Sequence, residues 1–408
     1  MPTRRRFLTT LAAGTAAALG VACGESSVGE PVVISTVPPT STVPPAPTAT
    51  TVPTPLPSPT PLPAATLEQK IGQMILMGFR GFNVTSGPSI FDDIAAGRVG
   101  GVVLFDYDPI TAMPGRNIQS PQQLAKLTAD LQSLTPRRRL LITTDQEGGL
   151  VSRLKPSNGF PATLSAEELG ALNNLDTTRT RASEMASTLA AAGINLNLAP
   201  VVDVNVNPNN PIIGAVERSF SADPMTVARQ ATAFIDGHHR QRVLTTLKHF
   251  PGHGSSRADS HLGFVDVSDT WTEAELIPYR EIIRSGNADV VMTAHIFNTN
   301  LDPEYPATLS KRTITGILRE QLGFGGVIMT DDMMMGAIAN FYDFEDSVVA
   351  AVEAGADIVS VANSITYSSD MSARTFEALR QAVVSGRLTE QRIDQSYQRI
   401  VKLKERLA

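Results

Sequence analysis

The chain has 408 residues, 42% hydrophobic and 18% charged, a balance that can bury a large core and excludes a wholly disordered or fibrous protein. Its formal net charge of −6 includes a basic leader, so the body is acidic. That argues against a nucleic-acid partner, because phosphate contacts need clustered Lys and Arg, and a single cysteine, Cys23, excludes an internal disulfide framework.

Residues 1–23 read as an export signal. Arg4, Arg5 and Arg6 form a basic start, and residues 7–22 are apolar and small, short of the roughly 20 residues that span a bilayer. The run Thr3-Arg4-Arg5-Arg6-Phe7-Leu8 resembles the twin-arginine signature, with an ordinary secretory signal as the alternative. Leu19-Gly20-Val21-Ala22-Cys23 resembles a bacterial lipobox, which implies lipid on Cys23 and an extracytoplasmic protein anchored to the membrane rather than spanning it. A fully secreted protein is the competing expectation.

Residues 24–65 form a linker rich in Pro, Thr, Ser, Val and Ala, uncharged after Glu30. Such a stretch cannot pack a core, and its prolines favour an extended spacer.

The texture changes at Thr66, and residues 66–408 read as one domain. Short apolar runs predict strands at 74–78, 99–105, 140–144, 194–198, 244–247, 289–293, 327–330 and 357–361. The runs are apolar throughout rather than alternating, as in strands covered on both faces. Helical patterns fall between them at 121–133, 166–192, 224–241, 271–285, 311–321 and 345–354, then at 373–385 and 390–406. About eight strand–helix repeats in this length predict a single (β/α)8 barrel of the TIM type. An open doubly wound sheet is the alternative, but the first strand–helix turn lacks a Gly-rich dinucleotide loop.

In such a barrel the chemistry sits where strands end. Polar groups stand there in this sequence: Asp145 after the third strand, Asp203 after the fourth, Lys248 and His249 after the fifth, His295 after the sixth, and Asp331 with Asp332 after the seventh.

The stretch Lys248-His249-Phe250-Pro251-Gly252-His253-Gly254, followed by Asp259-Ser260-His261, resembles the hallmark of single-domain bacterial β-N-acetylglucosaminidases of glycoside hydrolase family 3. Asp145-Gln146-Glu147-Gly148-Gly149 with Val151 and Arg153, Glu217-Arg218-Ser219-Phe220, the run 291–295 and the run 327–332 fit the same family in the same order. The resemblance covers the body from about Thr66 to the end and implies a retaining exo-hydrolase acting on terminal β-linked N-acetylglucosamine of peptidoglycan or chitin fragments.

Within that resemblance Asp331 matches the nucleophile that forms a covalent glycosyl-enzyme. His261 matches the acid/base, oriented by Asp259, and imidazole suits both roles because its ordinary pKa lies near about 6.5. Gly254, Ser255 and Ser256 suggest that its loop moves. Asp145, Arg153, Arg218, Lys248 and His249 match residues that hold the sugar, with an ion-pair network in the barrel mouth as the alternative. Asp332 reads as a capping or supporting residue, and His238 and His239 as solvated helix residues.

No cofactor or metal is expected, although His249, His253, Asp259 and His261 are residue types that zinc favours. A monomer is expected. Three competing readings stay open: a phosphorylase in which phosphate replaces water, a broader β-glucosidase, and a non-catalytic wall-binding protein on a dead barrel.

Overall fold

The computed structural model describes residues 65–84, 90–136 and 138–407. The leader with Cys23, and the linker up to residue 64, lie outside the described residues.

Eight parallel strands close into a barrel. They are β1 (Ile75–Gly78), β2 (Gly101–Leu104), β3 (Leu141–Thr144), β4 (Leu196–Asn197), β5 (Leu244–Phe250), β6 (Val290–Thr293), β7 (Val327–Asp332) and β8 (Ile358–Val361). Each pairs with its sequence neighbours, and β1 pairs with both β2 and β8 to close the ring. The predicted (β/α)8 barrel is therefore the fold. Apart from Asp331 near the end of β7, every residue of these strands is buried, which is why the runs carry no polar alternation.

Several boundaries differ from expectation. β5 runs on through Phe250, so Lys248 and His249 lie in the strand itself, and β7 continues through Asp331 and Asp332. Pairing with β6 and β8 holds these polar residues in extended backbone that hydrophobicity alone cannot mark. The helix expected over 166–192 is two helices, Ala166–Leu172 and Leu175–Ala191. Asn173 breaks it with a φ of 45°, and the side chain of Asn174 caps the next helix by accepting from Asp176 and Thr177. The segment Arg312–Gln321 winds as a π-helix. Short helices at Leu67–Gln73 and Ile90–Ala95 gave too few turns for a periodic signal.

The end of the barrel opposite the strand tips is sealed by ion pairs to helices. Asp357, just before β8, accepts from Ser396, Arg399 and Arg319. Lys404 on the last helix, Glu390–Glu405, donates to Gln73 at 2.6 Å and to the carbonyl of Gly100 at 2.8 Å. Polar groups on this face serve stability and leave the tips of the strands for chemistry.

His238 is corrected by the structure: it is buried, not solvated. Its Nδ1 donates to the carbonyl of Phe234 at 3.0 Å, and its Nε2 accepts from Asn197 at 3.0 Å. Burial pushes its pKa down to about 4, so it is a neutral core residue between helix and barrel. His239 is partly exposed and bonds to Asp289 at 2.7 Å.

Candidate active site

The tips of β3, β5 and β7 bring the expected residues to one mouth. Lys248, on β5, is buried and bridges two carboxylates, Asp145 at 2.7 Å and Glu147 at 2.6 Å. Asp145 also accepts from Arg153 at 3.3 Å. Arg218 makes a two-pronged pair with Glu147, 2.7 Å for each bond, and reaches the carbonyl of Ile212. A turn at Glu217, with φ 60°, brings Arg218 to this position from the long connection after β4. The cations outweigh the cost of burying Asp145 and Glu147, whose pKa values lie below the ordinary carboxylate range.

His249 is oriented from both sides. Its Nδ1 pairs with Asp203 at 2.7 Å, and Arg218 donates to its Nε2 at 3.2 Å. Because guanidinium can only donate, Nε2 is the acceptor and the proton sits on Nδ1. Asp203 is fully buried and also accepts from the amides of His249 and His253.

Asp331 lies near the end of β7, with the amide of Asp332 donating to its Oδ1 at 2.8 Å. Burial favours its neutral form, but the imidazoles of His249, His295 and His261 overcome that and hold its carboxyl below the ordinary range. Asp332 goes the other way. Burial, with Asp331 beside it, pushes its carboxyl up to about 6 against the amides of Ala362 and Met334 that bind its Oδ1. The environment thus separates two adjacent carboxyls: Asp331 ionises first, and Asp332 braces β7, β8 and the following turn. His295 bridges Thr308 and the carbonyl of Asp332, at 2.8 and 2.9 Å, and supports that brace.

The connection after β5 carries Asp259 and His261. Asp259 Oδ1 accepts from the backbone amide of His261 at 2.8 Å and from its Nδ1 at 2.7 Å. That fixes the ring and leaves Nε2 as the atom that can exchange a proton. The side chain of His261 is 56% exposed, so a substrate can reach it. His253 braces the same loop from within, bonding Ser256 at 2.6 Å and Ser260 at 3.1 Å. Burial lowers its pKa to about 4, which keeps the ring neutral. Both ring nitrogens of His249 and of His253 are engaged within the protein, and no group of three or more His, Cys, Asp or Glu that could hold a metal ion occurs among the described residues.

Every expected site residue outside the leader therefore lies at or beside this mouth. Three contributors were not assigned a role from the sequence: Glu147 as counter-ion of Arg218 and Lys248, Asp203 as orienter of His249, and His253 as loop brace. Glu147 sits inside the quoted run 145–149 and Asp203 is one of the strand-end groups named from the sequence, so position put both at the mouth without giving either a role.

A parallel barrel whose strand tips gather a carboxylate, an imidazole and a charged cradle holds the groups that glycoside hydrolysis uses. The family pattern described as "Glycosyl hydrolase family 3 N terminal domain" matches residues 66–403, and the chain belongs to that family. It is 32% identical to "Beta-hexosaminidase A" of Pseudoalteromonas piscicida, over 84% of this chain and 61% of that protein. It resembles the solved family 3 β-N-acetylglucosaminidase from Paenibacillus sp. str. FPU-7, with a TM-score of 0.76 and 39% identity over 84% of this chain and 63% of that one. It also resembles the β-N-acetylhexosaminidase from Beutenbergia cavernae DSM 12333, with a TM-score of 0.75 and 32% identity over 84% of this chain and 99% of that one. The chain thus spans under two thirds of the first two proteins and nearly all of the third.

Proposed function

We propose that the protein is a retaining exo-β-N-acetylglucosaminidase that removes terminal β-linked N-acetylglucosamine from peptidoglycan or chitin fragments. Asp331 attacks the anomeric carbon, the bond to the leaving oxygen breaks, and His261 gives that oxygen its proton. Water then attacks the glycosyl-enzyme, His261 takes the water's proton, and the Asp331 ester bond breaks with retention. Asp259 holds the ring in the right tautomer. Lys248, Asp145, Arg153, Arg218 and His249 bind the sugar's hydroxyls and acetamide.

One observation carries this reading. The loop that bears His261 is docked on the turn that follows Asp331, through Gly336 N to His261 O and Ala337 N to Ser260 O, both 3.1 Å. This contact brings the segment that bears His261 to the turn after Asp331, and it supports an imidazole and a carboxylate that serve one site. Sequence supports, in addition, export through residues 1–23 and lipid attachment at Cys23, with the enzyme tethered outside the cytoplasm.

Turnover of an aryl β-N-acetylglucosaminide, followed with and without phosphate, tests the assignment. The expected product is N-acetylglucosamine, first released as the β-anomer, at a rate indifferent to phosphate, with none from Asp331→Ala. A sugar 1-phosphate as main product would make the enzyme a phosphorylase. Equal cleavage of the aryl β-glucoside would remove the N-acetylglucosamine assignment.

A further inference from the structure

A cleft of about 510 Å³ opens beside His261. Its lining includes Met333 and Met334, two and three residues past Asp331, and Leu262, Phe344 and Ile365. If His261 protonates the leaving oxygen, as proposed above, the leaving group must lie beyond its ring. We propose that this cleft is the leaving-group subsite, and that it takes a neutral β-linked amino sugar, as in a chitooligosaccharide, in preference to a muramic acid that carries a carboxylate.

Three observations support this. The cleft is continuous with the acid/base, because Leu262 follows His261 and Met333 lies two residues past Asp331. Large apolar side chains are also exposed here: the lining residues Leu262 and Ile365 are 80% and 45% exposed, and Phe341, between the lining residues Asn340 and Tyr342, is 59% exposed. Phe341 packs edge-on against the half-exposed Phe264, with ring centroids 5.8 Å apart. Pyranose rings present C–H faces that cover such surfaces.

Charge is the third. Arg374 is the one permanent cation among the lining residues, and no acidic residue lines the cleft. Its guanidinium donates to Glu345 at 2.7 Å and lies 5.2 Å from the centre of the Phe344 ring. A lactyl carboxylate would meet a cation already paired with Glu345 and would gain no free positive charge for the hydration it loses. A neutral sugar meets no such cost, and Asn340, Thr366 and Ser368 offer groups suited to hydroxyls and acetamide.

The test compares kcat/KM on three compounds. The first is 2-acetamido-2-deoxy-β-glucosyl fluoride, which has no leaving sugar. The others are chitobiose and the disaccharide of N-acetylglucosamine β-linked to N-acetylmuramic acid. Chitobiose should exceed the muramic disaccharide by about ten-fold or more. Ile365→Ala and Phe341→Ala should each lower the chitobiose value about ten-fold more than the fluoride value. Fluoride turnover also reports that each variant is folded. A muramic disaccharide cleaved as well as chitobiose, or variants that lower fluoride and chitobiose equally, would overturn the assignment of the cleft while leaving the catalytic reading intact. A fluoride that is not cleaved at all would sink the catalytic reading and this inference with it.

Discussion

The backbone amide of Gly336 donates to the carbonyl of His261 at 3.1 Å, and the Gly336 α-carbon comes so close that a side chain would not fit. A Cβ built there stands 2.8 Å from the carbonyl carbon and oxygen of Leu262 and 2.9 Å from the oxygen of His261. These are backbone atoms, so the loop as a whole must shift. Gly336→Ala should therefore lower kcat/KM on chitobiose about 100-fold, the scale of a misplacement near 1 Å. The loss should be far smaller on a dinitrophenyl glycoside, whose leaving group needs no proton. Equal loss on both substrates would show that the loop contact does not position the acid.

The same leaving-group contrast applies to His261 directly. His261→Ala should cost about 10²–10⁴ in kcat/KM on chitobiose and much less on the dinitrophenyl glycoside. Azide, which needs no base to attack the glycosyl-enzyme, should restore kcat on the activated substrate and yield a glycosyl azide of retained configuration. Uniform loss on both substrates without azide rescue would take His261 out of the acid/base role.

Lys248 lies between Asp145 and Glu147, with Arg218 and Arg153 at the flanks. Replacing it with a neutral chain of similar length leaves two carboxylates short of a counter-ion. Lys248→Met should cost about 3 kcal/mol of stability, measured by urea denaturation, and should also raise KM strongly. Both carboxyls lie below their ordinary range, so this network contributes fully above about pH 4.5 and is lost as acid protonates them. Acid unfolding of the wild type should therefore begin below that pH, and an unchanged acid limb in the variant would contradict the account.

Glu275 sets an opposite dependence. It is buried under the start of the loop that bears His261, where its carboxylate accepts from the amide of Gly254 at 2.9 Å. Burial pushes its carboxyl up to about 7, whereas an unfolded glutamate ionises near about 4.3. The folded protein holds this proton more tightly, so the contribution is full below about pH 4.3 and is lost as the pH rises through 7. Glu275→Gln keeps an oxygen for the Gly254 amide and removes the titration. Its melting temperature relative to wild type should rise between pH 5 and pH 8, and a constant difference across that interval would refute the assignment.

Local physics made the scaffold readable from the residues. Doubly covered strands are apolar throughout, so eight short runs and the helices between them marked a barrel, and ionisable groups at the ends of the runs marked its mouth. Asp331, Lys248, His249 and Asp145 could be placed there from their position next to those runs, and the run from Lys248 to His261 carried a family resemblance. What hydrophobic pattern does not encode is pairing. Which of Asp331 and Asp332 ionises first depends on imidazoles delivered from β5, β6 and the loop beyond β5. His238 looked solvated because its neighbours are polar, and only the packing of its helix on the barrel buried it against Asn197. The docking of His261 beside Asp331 rests on backbone hydrogen bonds between segments some 75 positions apart, as the pairing of His261 with Gly336 shows. Residue types and spacing determine which groups a chain can offer; through-space distances, which decide charge state and alignment, exist only once the barrel has closed.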